Sequence, residues 1–548
     1  MDHDGSLAAP AAQLADPSKR PGSPDAFTSP VTAATIAASD PGMQDEPVTE
    51  IPGKVAASTS KAKSRPPRSS LWLGLAGFLA GTTIVLGGGQ VGPVTGTTFP
   101  SSWLGTLARN HVVPSHTPLP GSILVGGIAL LVAVWLVTLR VATRQGWQLR
   151  WICTTVAGWA APLALGPPLL SGDVYSYAAQ GMLANNGGSP YTSTPAQLTA
   201  TMTAAVDPSW RGAHSPYGPL TTAIEHLSVL AGGGTMVGAA VVLRLLGVVS
   251  VLALGYAATT LTTPRRGPIV LMLTAANPLV LLHFISGAHI DGPMVALVAL
   301  ALLAERRGHP GTALALGCAA GMVKAPGFVV VLVILVTLWH NHRVDRAAAM
   351  TRSLMITAAS LAILTLLVPH GWGWVSSWNT PGQGNTPGAP AALLGSMFHP
   401  LIGVASYDDL MAGGRITMLC IGGAAITWFL HTSRQRPVTA TTGWGLLVFS
   451  VINPVLYPWY LTWGICCLAI DARRPRRDWL IALSVWGTTL NVPGVVGWMA
   501  APVFGATDLA ILCWLIWAVT GRPPLRGPLR AISWSSIRGA LRASMKGA

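Results

Sequence analysis

The stretch Ser171–Tyr191, SGDVYSYAAQGMLANNGGSPY, is the part of the sequence around which the rest of the chain is organised. It directly follows the apolar run Trp151–Leu170, and Asp173 is its only acidic residue. A carboxylate at this position can cap the short helix that begins there, by accepting hydrogen bonds from main-chain N–H groups. It can equally form a site at the membrane–water boundary and take a proton from a polar substrate. The residue type alone does not separate these two interpretations.

The composition indicates a membrane protein. Of the 548 residues, 51% are hydrophobic and only 10% are charged, and the mean hydropathy is +0.50. A soluble protein carries about 25% charged residues. The formal net charge of +15 comes from short basic clusters between apolar runs, a distribution that encodes membrane topology and argues against nucleic-acid binding.

The apolar runs predict an all-α integral membrane domain over residues 70–520. A membrane-spanning helix needs about 20 mostly apolar residues, and reading the runs gives about 14 hydrophobic segments, several of them too short to cross alone. Residues 1–69 are rich in Ala, Pro, Ser and Thr and are predicted to be a disordered tail. Residues 521–548 are predicted to be a basic tail.

The basic residues predict the orientation of the chain. Clusters such as Arg140–Arg150, Arg265–Arg266 and Arg306–Arg307 recur in alternate loops. By the positive-inside rule these loops and both termini are cytoplasmic, in the plasma membrane, and the intervening loops lie outside. Asp173 then belongs to the outer face.

A few basic residues depart from the cytoplasmic pattern and lie in outer loops or at outer helix ends. Ionisable groups at membrane depth are usually functional, although a long side chain can also extend to the interface. Lys324, in the chain break VKAPGFV, is the strongest candidate to bind an anion such as a lipid phosphate, followed by Arg244 and Arg415.

Other polar and aromatic residues near the outer face are candidates to bind a substrate. The segment SGAHIDG contains His289 and Asp291, which fit a hydrogen-bonding role. Two ligands are weak support for a metal, so we predict none and no cofactor, and Asp291 can also cap the next helix. Aromatic residues at this depth form an interfacial belt or stack on sugar rings. The candidate substrate-binding residues are Tyr175, Tyr177, His214, Tyr217, His289, Asp291, Tyr457 and Trp459.

Several of these motifs together resemble a known family. SGDVYSYAAQG followed by SPY is similar to the first outer loop of the polyprenol-phosphomannose-dependent α-1,6-mannosyltransferases of mycobacteria and corynebacteria. The HxD segment at His289–Asp291, the break at Lys324 and NPVLYPWYLTW at Asn453–Trp463 are similar as well. Ile290 departs from the family pattern, which has Asn between the His and the Asp. The resemblance covers roughly residues 71 to 519.

The resemblance implies a membrane glycosyltransferase of the GT-C type, a multi-helix bundle whose outer loops contain short helices and whose site is extracytoplasmic. The implied donor is polyprenyl (decaprenyl) phosphomannose. The implied acceptor is a growing α-1,6-mannan on a phosphatidylinositol mannoside lipid, in the synthesis of lipomannan and lipoarabinomannan. The family's general base is an aspartate in the first large outer loop, and Asp173 matches it.

An inverting single displacement follows from this implied donor and product. Asp173 would take the proton of the acceptor hydroxyl, and preorganised cations would stabilise the charge on the leaving phosphate. Other GT-C enzymes, such as an arabinosyltransferase or a protein mannosyltransferase, remain alternatives. A secondary transporter or lipid flippase is a more distant one, since no convincing internal repeat is found.

Overall fold

The computed structural model describes residues 66–91, 119–342, 344–376, 389–390, 407–473 and 476–490. Every regular element in these ranges is an α-, 3-10 or π-helix, and no β-strand occurs in them. The predicted C-terminal tail and nearly all of the predicted N-terminal tail lie outside the described residues.

The helices are numbered in chain order. They are α1 Arg68–Val91, α2 Leu119–Gln145, α3 Leu149–Leu165, α4 Asp173–Asn185, α5 Ala200–Ala205, α6 Pro219–Ala231, α7 Met236–Thr260, α8 Gly267–Leu273, α9 Pro278–Val280 with the π-helical turn Leu281–Ser286, α10 Asp291–Arg306, α11 Pro310–Val323, α12 Phe328–Asn341, α13 Arg346–Leu366, α14 Tyr407–His431, α15 Val438–Ile452, α16 Leu461–Asp471 and α17 Arg476–Thr489. Short 3-10 helices occupy Pro195–Gln197, Pro208–Trp210, Ala325–Gly327, Ser433–Gln435 and Pro458–Tyr460.

Five of these helices are long and apolar enough to cross a membrane. They are Arg68–Gly88, Leu119–Gln145, Met236–Thr260, Arg346–Leu366 and Ala412–His431. A sixth span results if α8 and the α9 segment, which meet at a 49° bend, are counted as one. The all-α membrane architecture is therefore confirmed, whereas most of the other predicted segments are present as shorter helices.

The segment before Asp173 differs from the sequence-based prediction. The apolar run was expected to continue to Leu170, but α3 ends at Leu165, close to Pro167 and Pro168. Gly166, the residue before Pro167, has an extended backbone, because the ring of a following proline disfavours the helical conformation. Leu170 takes a left-handed φ of 67°, which turns the chain into α4.

The predicted site segments all lie at one end of the helix bundle. Asp173 follows α3, the HxD segment precedes α10, Lys324 follows α11, and the 3-10 turn Pro458–Tyr460 precedes α16. The basic loops lie at the opposite ends of the same helices. The break predicted at Lys324 is present, because α11 ends at Val323 and α12 begins only at Phe328.

Helix α6 fixes the position of the Lys324 break. Its first turn packs on the end of α11 so closely that a Cβ at Gly218 would lie 2.2 Å from the main-chain oxygen of Met322. Thr221 in the same turn donates a hydrogen bond of 2.8 Å to the carbonyl of Val323, the residue before Lys324. The start of α6 and the end of α11 thus form one rigid junction beside the site.

Candidate active site

Asp173 is the first residue of α4, but its side chain does not cap that helix. The N-cap is Gly172, and no side-chain capping hydrogen bond is formed there. The carboxylate instead lies beside His289, with Asp173 Oδ2 3.3 Å from His289 Nδ1, and the Asp173 side chain is 16% exposed. The capping interpretation of Asp173 is therefore wrong, and the carboxylate is available at a partly open position.

His289 is held in an aromatic stack. Its ring stacks on Trp459 with centroids 3.9 Å apart, and Trp459 stacks in turn on Tyr457 at 4.5 Å. His289 is completely buried and Trp459 nearly so, whereas Tyr457 is only partly buried. The neighbouring Ala288 takes a left-handed φ of 51°, which is unusual for a residue other than glycine and is often found at functional sites.

Asp291, two residues after His289, has different partners. Its carboxylate is fully buried and accepts two hydrogen bonds from Lys324 Nζ, at 3.0 and 3.1 Å, and one of 2.7 Å from Trp463 Nε1. The capping alternative for Asp291 fails as well, because no side-chain cap is present at the start of α10. The carboxylate compensates and orients the Lys324 ammonium.

The Lys324 ammonium is also surrounded by aromatic rings. Nζ lies 4.4 Å from the ring centroid of Tyr460, 5.2 Å from that of Trp463 and 5.7 Å from that of Tyr217. Tyr217 contacts Tyr177 of α4 edge to face, with centroids 5.5 Å apart. The side chain of Lys324 remains 13% exposed, so it is not completely enclosed by these rings.

Asp173, His289, Asp291, Lys324 and the aromatic rings around them form one cluster, and the neighbours of Asp173 determine its protonation state. Burial raises the pKa of Asp173. The neighbouring His289 and Ser171 and the charge of Lys324 together lower it by a larger amount, so the pKa lies below the ordinary aspartate value. Asp173 is therefore ionised at neutral pH and able to accept a proton.

Not every predicted site residue belongs to this cluster. Arg244 is almost fully buried and donates hydrogen bonds to the main-chain carbonyls of Gly166 and Ser286, the latter at 2.9 Å. It thereby ties the end of α3 to the segment before His289, and it interacts electrostatically with the buried Tyr175. His214 is exposed in the loop before α6, and Arg415 is partly buried on α14.

Three residues of the cluster were not among the predicted site residues. Tyr460 and Trp463 belong to the quoted segment LYPWYLTW, so the signal was present but was attributed mainly to the interfacial belt. His283 lies in the π-helical turn, with its ring centroid 5.1 Å from that of Trp459 and 5.7 Å from that of His289. The residues next to His283 in the sequence are apolar, so no local pattern indicated a site there. Among the described residues, no three His, Cys, Asp or Glu side chains converge to hold a metal ion.

Comparison with known proteins identifies the family. Residues 71–341 match the family model described as "Alpha-(1->6)-mannopyranosyltransferase, N-terminal domain", and residues 389–521 match "MptB C-terminal domain". The chain belongs to this family of α-(1→6)-mannosyltransferases. It is therefore a glycosyltransferase of the membrane. Asp173, His289 and Lys324 lie within the first matched region, and Trp459, Tyr460 and Trp463 lie within the second.

The relatives are distant. The α-(1→6)-mannopyranosyltransferase A of Mycobacterium tuberculosis is 27% identical over 71% of this chain and 79% of its own length. The mannopyranosyltransferase A of Corynebacterium glutamicum is 24% identical over 74% of this chain and 94% of its own length. The mannopyranosyltransferase B of the same species is 26% identical over 58% of each chain. No solved structure matches the chain.

Proposed function

We propose that this mannosyltransferase moves mannose from polyprenyl (decaprenyl) phosphomannose to the 6-hydroxyl of an α-1,6-mannan acceptor, with inversion at the anomeric carbon. The observation that carries the proposal is that one cluster holds an ionised, partly exposed carboxylate, Asp173, and a preorganised ammonium, Lys324. Such a pair is what a single displacement on a glycosyl phosphate requires.

The reaction forms one bond and breaks one bond. The acceptor oxygen attacks the anomeric carbon of the β-linked mannose, and its proton passes to the carboxylate of Asp173. The bond between the anomeric carbon and the phosphate oxygen breaks, and the electron pair leaves with the polyprenyl phosphate. His289, 3.3 Å from Asp173, orients the carboxylate and favours its charged form.

Lys324 faces the charge that develops on the leaving phosphate. Its ammonium is held by two hydrogen bonds to Asp291 and by the Tyr460 ring, so it needs little reorganisation as the charge forms. The leaving phosphate is stable as an anion and needs no proton donor. Arg415 remains a proposed further phosphate contact, whereas the hydrogen bonds of Arg244 to main-chain carbonyls favour a structural role.

The aromatic stack is the proposed platform for the acceptor. His289 and Trp459 are buried in it, and Tyr457 forms its partly exposed end. A sugar ring packed on Tyr457 would lie beside Asp173, with its apolar face on the aromatic ring. We therefore assign acceptor binding to this side of the cluster and donor binding to the side of Lys324 and Tyr217.

The membrane setting of the reaction is part of the proposal. By the positive-inside rule, the basic loops favour a cytoplasmic position for the opposite ends of the helices, which supports a cluster that faces the outside of the plasma membrane. A polyprenyl donor and a mannosylated phosphatidylinositol acceptor are both lipids that reach such a site from within the bilayer. Extension of the lipomannan and lipoarabinomannan backbone is the process this would serve.

Substitution of the proposed base tests the function. Mannosyl transfer from polyprenyl phosphomannose to a short α-1,6-mannoside is measured for the wild type and for Asp173→Asn. The control is Asp345→Asn, which changes an exposed aspartate just before α13, at the opposite end of α12 from Lys324. General base catalysis contributes about 10²–10⁴-fold, so Asp173→Asn should lose that much while the control keeps wild-type transfer.

The outcomes separate the parts of the proposal. Transfer by Asp173→Asn within a few-fold of the wild type, with matching thermal stability of the two proteins, would remove Asp173 as the base. A wild-type protein that transfers nothing from this donor would remove the donor assignment. The anomeric configuration of the product, read by NMR, tests inversion.

A further inference from the structure

Two adjoining cavities lie at the end of the bundle opposite Asp173. Helix α3 begins beside them at Leu149 and ends at Leu165, shortly before the site. The cavities have volumes of about 230 and 740 Å³, and Gly146, Trp147, Arg265 and Pro268 line both. They are formed where the α2–α3 loop meets the α7–α8 loop, and the larger one has the size of a small-molecule site, about 300–1,000 Å³.

Positive charge dominates this region. Arg265 is exposed and lines both cavities, and no described residue accepts a hydrogen bond from its guanidinium. Its neighbour Arg266 is held in place by donating to the carbonyl of Ala472. Residues 119–172 and 226–290, which supply every lining residue, contain no Asp or Glu. A ligand with a negative charge is therefore favoured.

The walls of the cavities are partly apolar. Leu139 of α2 and Ile269 and Met272 of α8 form the inner wall of the smaller cavity. Leu149, at the rim of the larger cavity, and Tyr256, one turn before Thr260, present large apolar surfaces to the outside. A cation at the mouth beside exposed apolar surface fits a molecule with an anionic head and hydrocarbon chains. Basic pockets between membrane helices at the cytoplasmic face bind lipid headgroups in this way.

We propose that this pair of cavities, called the Arg265 pocket, binds the headgroup of an anionic glycerophospholipid. The planar guanidinium of Arg265 contacts the phosphate, because arginine binds phosphate oxygens through two parallel N–H donors. The acyl chains lie against the exposed side chains of Leu149 and Tyr256. A zwitterionic lipid is disfavoured because it has no net negative charge to match the basic side chains of this region.

Lipid binding to the purified full-length protein tests the proposal. Native mass spectrometry in detergent measures the binding of phosphatidylglycerol, phosphatidylcholine and inorganic phosphate to the wild type and to three variants. Arg265→Gln removes the charge, and Thr260→Trp fills the larger cavity while it keeps the charge. Arg352→Gln is the matched control, because Arg352 is an exposed arginine of α13 outside the lining.

The expected result is one tightly bound phosphatidylglycerol on the wild type and on Arg352→Gln. Hydrogen bonds to a charged group contribute about 1.5–3 kcal/mol, so Arg265→Gln should weaken binding about 10- to 100-fold. Thr260→Trp should lower occupancy as well, and this loss is independent of the charge. Mannosyl transfer by each variant shows that the protein is folded.

Three results would overturn the proposal. They are equal binding of phosphatidylcholine, unchanged phosphatidylglycerol binding by both pocket variants, and displacement of the lipid by millimolar inorganic phosphate. The last result would identify a site for a soluble anion.

Discussion

The pair formed by Lys324 and Asp291 leads to the sharpest prediction. Lys324→Met removes an ammonium that makes two hydrogen bonds to a carboxylate with 0% exposure. Removing one partner of a buried ion pair costs about 3–5 kcal/mol, because the other charge is left uncompensated. Lys324 is itself 13% exposed, so we expect the lower end of that range. The variant should therefore unfold at a clearly lower temperature than the wild type.

Loss of transfer by this variant alone would not distinguish instability from a missing phosphate contact. The double variant Lys324→Met/Asp291→Asn separates the two, because the neutral amide needs no cation and its oxygen still accepts from Trp463 Nε1. Most of the lost stability should return in the double variant. Transfer should stay about 10²–10³-fold below the wild type, the usual cost of losing one preorganised group that stabilises charge in the transition state.

Thermal unfolding and initial rates of transfer, measured on the same preparations, provide both readings. Asp291→Asn alone is the control, and it should retain far more transfer than the double variant because Lys324 is still present. Lys324→Arg should keep part of the activity, since it keeps the charge but not the shape. Recovery of transfer together with stability in the double variant would contradict the proposed phosphate contact and assign Lys324 a structural role.

Three further predictions concern residues around the cluster. His289→Gln removes the neighbour that lowers the pKa of Asp173 and leaves the burial that raises it, so the acidic limb of the kcat/KM profile should move to higher pH. Gly218→Ala should lower stability by about 1–3 kcal/mol in thermal unfolding, because the new Cβ would lie 2.2 Å from the carbonyl oxygen of Met322. Burial raises the pKa of Glu225 well above its ordinary value, so Glu225→Gln should match the wild type in stability near pH 4 and exceed it at pH 7. The wild type should lose stability as pH rises from about 4.3 towards the raised pKa, and this variant should not.

Each of these predictions has a contrary outcome. An unchanged acidic limb in His289→Gln would mean that His289 only packs against its neighbours. Gly212→Ala, whose Cβ would meet nothing within 4 Å, is the control for Gly218→Ala, and equal stability of the two variants would contradict the close approach. A pH dependence of stability that Glu225→Gln leaves unaltered would mean that Glu225 is charged in the folded protein.

The sequence predicted the class of fold and the main segments of the site, because both depend on local signals. Long apolar runs identify membrane helices, and isolated charges such as Asp173 and Lys324 are conspicuous within them. Their partners could not be predicted, since a pairing such as that of Asp291 with Trp463 joins residues 172 positions apart. Burial was equally inaccessible, which is why Trp463 was assigned to the interfacial belt. Helix ends also moved, because the turn before Asp173 depends on two prolines and a left-handed Leu170.

The HxD segment connects the proposed acceptor side of the cluster to the proposed donor side through one short turn. His289 and Asp291 are separated by one residue, yet His289 lies beside Asp173 and Asp291 binds Lys324. Ile290 between them is buried, so it supplies packing and no polar group. The turn therefore sets the position of the proposed base relative to the proposed phosphate contact. An insertion that lengthens this turn should impair transfer even where the side chains of Asp173, His289, Asp291 and Lys324 remain. The proposed inverting displacement requires the acceptor oxygen, the anomeric carbon and the leaving oxygen in line.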